Sequence, residues 1–156
     1  MTTIEIIKEE VPARKAEISA AVLADLPEWF GLPDATKEYV ERAKDAHFWY
    51  ATCDNGIVGF VYLNQTAKKV AEIYCIGVKK DYHGQKIGQQ LVRALETYAA
   101  NDCHCSFLQV KTVAYGKYAE YDRTVSFYHS QGFTEFEVFP TLWGSENPCQ
   151  IMIKGI

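Results

Sequence analysis

The sequence predicts a single α/β domain on a mixed, mostly antiparallel central sheet of about seven strands, flanked by about four helices. Three observations predict it. The 156 residues suffice for one domain and fall short of two ordinary ones. Segments of strand and helix period follow each other in the order strand, two helices, three strands, helix, strand, helix, two strands. The chain is also rich in aromatics, with ten tyrosines, eight phenylalanines and three tryptophans, which favours sheet and a built cleft.

Each element has its own signal. Ile4-Glu5-Ile6-Ile7-Lys8 reads as a short opening strand. Pro12 suits a first helical turn, and Ile18, Val22 and Leu26 share one face of the helix that runs to about Ala24. Residues 26–34 hold two prolines, a glycine, Trp29 and Phe30, the composition of an ordered loop. A second helix is expected from about Thr36 to Lys44, with Tyr39, Val40 and Ala43 turned inward. His47–Cys53 and residues 57–64 flank Asp54-Asn55-Gly56, a strong hairpin turn. Val70–Val78 reads as a largely buried strand, and Ile87, Leu91, Leu95 and Tyr98 recur at helical spacing. Phe107–Val113 alternates as a strand, residues 121–131 form a helix stopped by Gly132, and residues 133–139 and 150–154 close as a strand pair.

Composition excludes several classes of function. An apolar share of 48% and a charged share of 23% are those of a globular chain, not of a disordered or collagen-like one. A net charge of −4 leaves no basic footprint for nucleic acid, so no nucleic-acid partner is expected. No apolar run reaches the eighteen or so residues that span a bilayer, so no membrane partner is expected either. The opening Met1-Thr2-Thr3-Ile4-Glu5 lacks the basic and apolar regions of a secretory signal. Five cysteines without framework spacing suggest reduced thiols in a cytoplasmic protein.

The segment with chemical content is 70–98: a buried strand, a loop holding Gly84 and Gly88 with Lys79, Lys80 and Lys86, then a helix. A helix start exposes unpaired N–H groups and the positive end of the macrodipole, a natural seat for phosphate. The loop is neither a Walker loop nor G-x-G-x-x-G.

Glu72 is the only carboxylate in Val70–Val78, on one strand face with Tyr74 and Ile76. Glutamate is seldom buried unless paired or used, so it is either a working group or a salt-bridged one. Tyr128 beside Phe127 is either a core aromatic or a proton donor. Cys103-His104-Cys105 has too short a spacing for zinc and shows no fourth ligand, so no metal is expected. Cys75 reads as a small buried hydrophobe, and Ser126 and His129 lack the acid that a triad needs.

His83-Gly84-Gln85-Lys86-Ile87-Gly88, following Ile76-Gly77-Val78, resembles motif A of the GNAT superfamily, the acetyl-CoA-dependent N-acetyltransferases. Its pattern is Gln/Arg-x-x-Gly-x-Gly/Ala; here His83 stands for the Gln or Arg and Lys86 for the first glycine. Phe127-Tyr128-His129-Ser130-Gln131-Gly132-Phe133 resembles motif B, and the element order matches over nearly the whole chain. The tail, with Phe139-Pro140-Thr141-Leu142-Trp143 and Asn147-Pro148-Cys149, is similar to that of a generic bacterial subgroup.

The resemblance implies that acetyl-CoA is the co-substrate. It would be held by Ile76, Gly77, Val78, His83, Gly84, Gln85, Lys86, Ile87, Gly88 and Gln89, with the Val78 N–H polarising the thioester carbonyl. It further implies Glu72 as general base, Tyr128 as the acid that protonates the departing thiolate, and direct attack by a small-molecule amine in a ternary complex. Trp29, Phe30, Tyr74 and Trp143 would line the acceptor cleft, with Glu28, Asp34 or Glu146 receiving a cationic amine. A homodimer is implied on the same ground. The alternative expectation is a non-catalytic fold of this type that binds acyl-CoA as a sensor or interaction module.

Overall fold

Local sequence signals place most of the elements in the computed structural model, which describes residues 3–156. Met1 and Thr2, where the expected leaderless start begins, lie outside the described residues. The order is β1 (Ile4–Glu9), α1 (Pro12–Ala24), α2 (Pro33–Ala43), β2 (His47–Cys53), β3 (Gly56–Ala67), β4 (Val70–Val78), a 3-10 turn (Lys80–Tyr82), α3 (Ile87–Asn101), β5 (Phe107–Val113), α4 (Ala119–Ser130), β6 (Thr134–Phe139) and β7 (Cys149–Gly155). The strands form one mixed seven-stranded sheet in the order β1-β2-β3-β4-β5-β7-β6, with four α-helices, which is the α/β class expected. The pairs β1/β2, β2/β3, β5/β7 and β6/β7 are antiparallel. No helix among the described residues is long and apolar enough to cross a membrane.

The β2–β3 hairpin turns where Asp54 and Asn55 both take left-handed conformations, φ 54° and 68°, as a tight two-residue turn requires. Two helix starts differ from expectation. α2 begins at Pro33, not near Thr36, because proline at the first helical position loses no hydrogen bond and is already set at helical φ. Thr36 instead works inside the first turn, its hydroxyl donating to the Phe30 carbonyl at 3.1 Å. α4 begins at Ala119, which brings Glu120 and Asp122 into its first turn, where the dipole favours them. β3 runs on to Ala67, and the Gln65 amide ties the following turn through the Lys68 carbonyl at 3.2 Å.

Contacts divide the chain into two compact units. The first runs to Asn64 and resumes over Ile73–Tyr98; the second comprises Gln65–Glu72 and Ala99–Ile156. In the first, Ile18, Val22, Leu23 and Leu26 bury against Phe48, Phe60, Tyr62 and Cys75. The Phe48 and Phe60 rings stack at 5.5 Å. Cys75 behaves as the small hydrophobe expected, its thiol pushed far above the usual range by burial. Gly59 matters most to the sheet. A Cβ there would lie 2.9 Å from the Gly77 carbonyl oxygen, so β3 and β4 approach closely only because that side chain is absent.

In the second unit Leu108 and Val110 of β5, Val125 and Tyr128 of α4, Phe133, and Cys149 and Met152 of β7 are buried. β6 is the edge strand. All six of its residues are exposed, and its register breaks between Glu135 and Glu137.

Candidate functional site

In the first unit the site is built on the end of β4. Strand alternation puts Ile73, Cys75 and Gly77 on the buried face, and Tyr74, Ile76 and Val78 on the more open one. Gly77 serves packing: a Cβ there would sit 3.1 Å from both Leu26 Cδ1 and Val22 Cγ1. At the strand end, His83 turns back so that its Nε2 lies 2.6 Å from the Val78 carbonyl oxygen. The bond requires the hydrogen on Nε2. Trp29 meets the same ring edge-on at 5.8 Å, so Trp29 and His83, expected in two different roles, are brought together.

The loop that follows is less positive than its lysine count suggests. Lys80 Nζ pairs with Glu28 Oε1 at 2.6 Å, and the Lys80 N–H donates to Asp25 Oδ2 at 2.8 Å. The structure therefore commits Glu28, expected as one receptor for a cationic amine, to Lys80, which holds its carboxyl below the ordinary range.

Gly84 and Lys86 are both left-handed, at φ 80° and 64°. A Cβ on Gly84 would meet nothing within 4 Å, so the backbone there is open to a ligand. α3 starts at Ile87, which is buried at 1% exposure and anchors the first turn in the core. The N–H groups of Ile87, Gly88 and Gln89 precede the first bonded turn, since the Gln90 N–H is the first to reach back, to Lys86 O at 3.3 Å. These donors, the dipole and the exposed Lys86 fit phosphate groups.

Lys86 bears a backbone strain of about 1–2 kcal/mol in that conformation. Lys86→Gly should relieve it, offset in part by the greater entropy of a glycine in the unfolded chain. The expected outcome is a Tm of the ligand-free chain higher by about 1–3 °C in a calorimetric melt. A lower Tm would show that the lysine conformation is supported by contacts.

Beside this end of β4 stands an aromatic run. Phe30 meets Tyr39 and Tyr39 meets Tyr74, each at 5.7 Å, and Tyr74 stacks on Tyr62 at 5.7 Å. The Arg42 guanidinium lies 4.9 Å from the Tyr74 ring centre. Phe30 and Tyr74, both expected at the acceptor cleft, are linked through Tyr39. Tyr62 and Arg42 were missed by sequence reasoning; Arg42, one turn after Glu38, carried a helical-spacing signal.

In the second unit the central feature is Glu72, 2% exposed. Its Oε2 accepts from Lys111 Nζ of β5 at 2.8 Å. Cys149 of β7 is close by: burial pushes its thiol up to about 11, with Glu72 adding and Lys111 opposing. Tyr128 is 2% exposed and meets Phe127 and Phe133 edge-on at 5.3 and 5.5 Å. Trp143 lies 41% exposed on the loop before β7. His129 pairs with Glu135 and holds that carboxyl low. No group of three or more His, Cys, Asp or Glu among the described residues could hold a metal ion.

A strand that ends at a glycine turn and feeds backbone donors at a helix start is suited to a phosphate-bearing ligand. Residues 44–135, more than half of the chain, match the acetyltransferase (GNAT) domain, and the chain belongs to that family. A curated relative, an uncharacterized N-acetyltransferase of Methanocaldococcus jannaschii, is 25% identical over 107 residues; the match covers 69% of this chain and 65% of that relative's length, just under two thirds. Among solved structures, a candidate acetyltransferase of the GNAT family from Desulfovibrio desulfuricans matches 98% of this chain and 99% of its own, with TM-score 0.80 and 19% identity. An aminoglycoside 6'-N-acetyltransferase complexed with coenzyme A matches 98% of this chain and 96% of its own, with TM-score 0.74 and 19% identity. At these identities the two structures show a shared fold.

Proposed function

We propose that the protein is an N-acetyltransferase that moves the acetyl group of acetyl-CoA to the primary amine of a small molecule, by direct attack in a ternary complex. The observation that carries this reading is the turn from β4 to α3. Inside the family match, the left-handed Gly84 and Lys86 lead into a helix start whose N–H groups at Ile87, Gly88 and Gln89 precede the first helical bond. Coenzyme A in the related aminoglycoside enzyme supports the choice of ligand. When bound, the coenzyme supplies an activated acetyl thioester.

The chain's residues do the rest. The loop and the Ile76–Val78 backbone orient the coenzyme, and Lys86 adds a cation beside its phosphates. Trp29, Phe30, Tyr74 and Trp143 exclude water around the acceptor. Glu72 takes the proton that the amine must lose, and the Tyr128 hydroxyl returns one to the departing thiolate. The cytoplasm is the proposed setting and a homodimer the proposed assembly.

A thermal melt over a series of acetyl-CoA concentrations tests the coenzyme site, followed by thiol release against a panel of amines. At about 100 times Kd the stabilisation is about 2.7 kcal/mol, and Tm rises by about 5–10 °C. No rise at millimolar coenzyme would sink the reading. Two observations favour the sensor alternative: Glu72 is already ion-paired, and Tyr128 is buried in an aromatic cluster. Saturable product formation with any amine excludes it.

A further inference from the structure

A carboxylate taken from water carries a large penalty unless a counter-charge and good geometry compensate it. Lys111 gives Glu72 both. Lys111 Nζ donates to Oε2 at 2.8 Å, and the two side chains are 30% and 3% exposed, so the ammonium reaches the carboxylate from the wetter side. Lys111 stands opposite Ile151 and Val113 opposite Cys149 in the β5–β7 ladder. Cys149 is therefore the diagonal neighbour of Lys111 on the same sheet face. With its thiol pushed up to about 11, Cys149 is neutral near pH 7 and brings no charge to the pair. Lys111 supplies the compensating charge and the direction.

A structural ion pair on an edge could be dropped at little loss, as most exposed pairs can. This one aims the single carboxylate of β4, the group that the proposed reaction asks to collect a proton. A charge-assisted hydrogen bond is short and directional, and it narrows the rotamers open to a long side chain. We infer that Lys111 is the positioning residue of the acetyl-transfer site: its ion pair with Glu72 holds the carboxylate in the orientation from which it deprotonates the acceptor amine. The inference rests on the assignment of Glu72 as base. It adds a residue with no counterpart in either sequence motif.

The test uses the full chain with the amine returned by the panel, and compares Lys111→Met, Lys111→Arg and Glu72→Gln. Lys111→Met should lower kcat by about 10- to 100-fold, the scale of a misplaced catalytic group. The KM for acetyl-CoA and the coenzyme-induced rise in Tm should stay near wild type. Lys111→Arg, which can donate to the same oxygen, should restore most of the lost kcat. If the methionine variant fails to fold, Lys111→Gln replaces it in the comparison with arginine. Wild-type kcat in Lys111→Met, or no advantage of arginine over glutamine, overturns the inference while a low kcat in Glu72→Gln leaves the base standing. Wild-type kcat in Glu72→Gln, or no turnover on any amine, overturns the base and the inference together.

Discussion

Glu72→Gln should lower kcat/KM for the acceptor amine by about 100- to 10,000-fold, the usual worth of a positioned general base. The substitution keeps shape and volume, and the amide oxygen can still accept from Lys111, which donates at 2.8 Å in the native chain. What it removes is the capacity to collect a proton. Breaking a fully dry pair costs about 3–5 kcal/mol, but Lys111 is 30% exposed and can regain water, so the folding loss should be well short of that. Initial rates of thiol release against amine concentration, with a melt in acetyl-CoA as the control for folding, give the answer. An unchanged kcat/KM in a folded variant removes Glu72 from the reaction.

The second large effect is on stability. Gly59→Ala places a Cβ 2.9 Å from the Gly77 carbonyl oxygen, 3.2 Å from Val78 Cγ2 and 3.3 Å from Leu91 Cδ1. Side-chain atoms can turn away; the carbonyl cannot without moving β4. Overpacking of this kind costs about 1–3 kcal/mol, a fall in Tm of roughly 3–10 °C for a chain this long. The Lys79 N–H to Val58 carbonyl bond, 2.8 Å in the native chain, should lengthen with it. Gly56→Ala is the control, since its Cβ would meet its nearest neighbour, Cys53 O, at an ordinary 3.7 Å. Equal melts for the two variants would show that the strands separate without cost.

The fold was legible because its elements announce themselves locally. Alternation marked β5, Asp54-Asn55-Gly56 marked the hairpin of β2 and β3, and 3.6-residue recurrence marked α3. The start of α2 was missed because Pro33 was read as part of a loop, when proline suits a first helical position equally well. Glu72 stood out as a charge in an apolar strand, and the loop of Gly84 and Gly88 before a helix as a seat for phosphate.

Partnerships were illegible for a physical reason. Lys111 and Glu72 are 39 positions apart, and Lys80 and Glu28 are 52. Lys111, Lys80 and Glu28 each look like ordinary surface charges in the sequence, and strand order brings Lys111 to Glu72 only once β5 lies where it does. The same holds for Arg42 over Tyr74. Periodicity tells which face a side chain takes, not which distant residue meets it there.

The edge strand β6 carries Phe136, Val138 and Phe139 at 64%, 43% and 37% exposure, a composition that invites another chain to add itself as a strand. Two features oppose this. The break in register between Glu135 and Glu137 interrupts a straight run of unpaired backbone groups, and the two carboxylates put like charge along the edge that an added copy would have to approach. The solubility of this margin of the protein thus depends on charge repulsion and a local kink, not on concealment of its aromatic side chains.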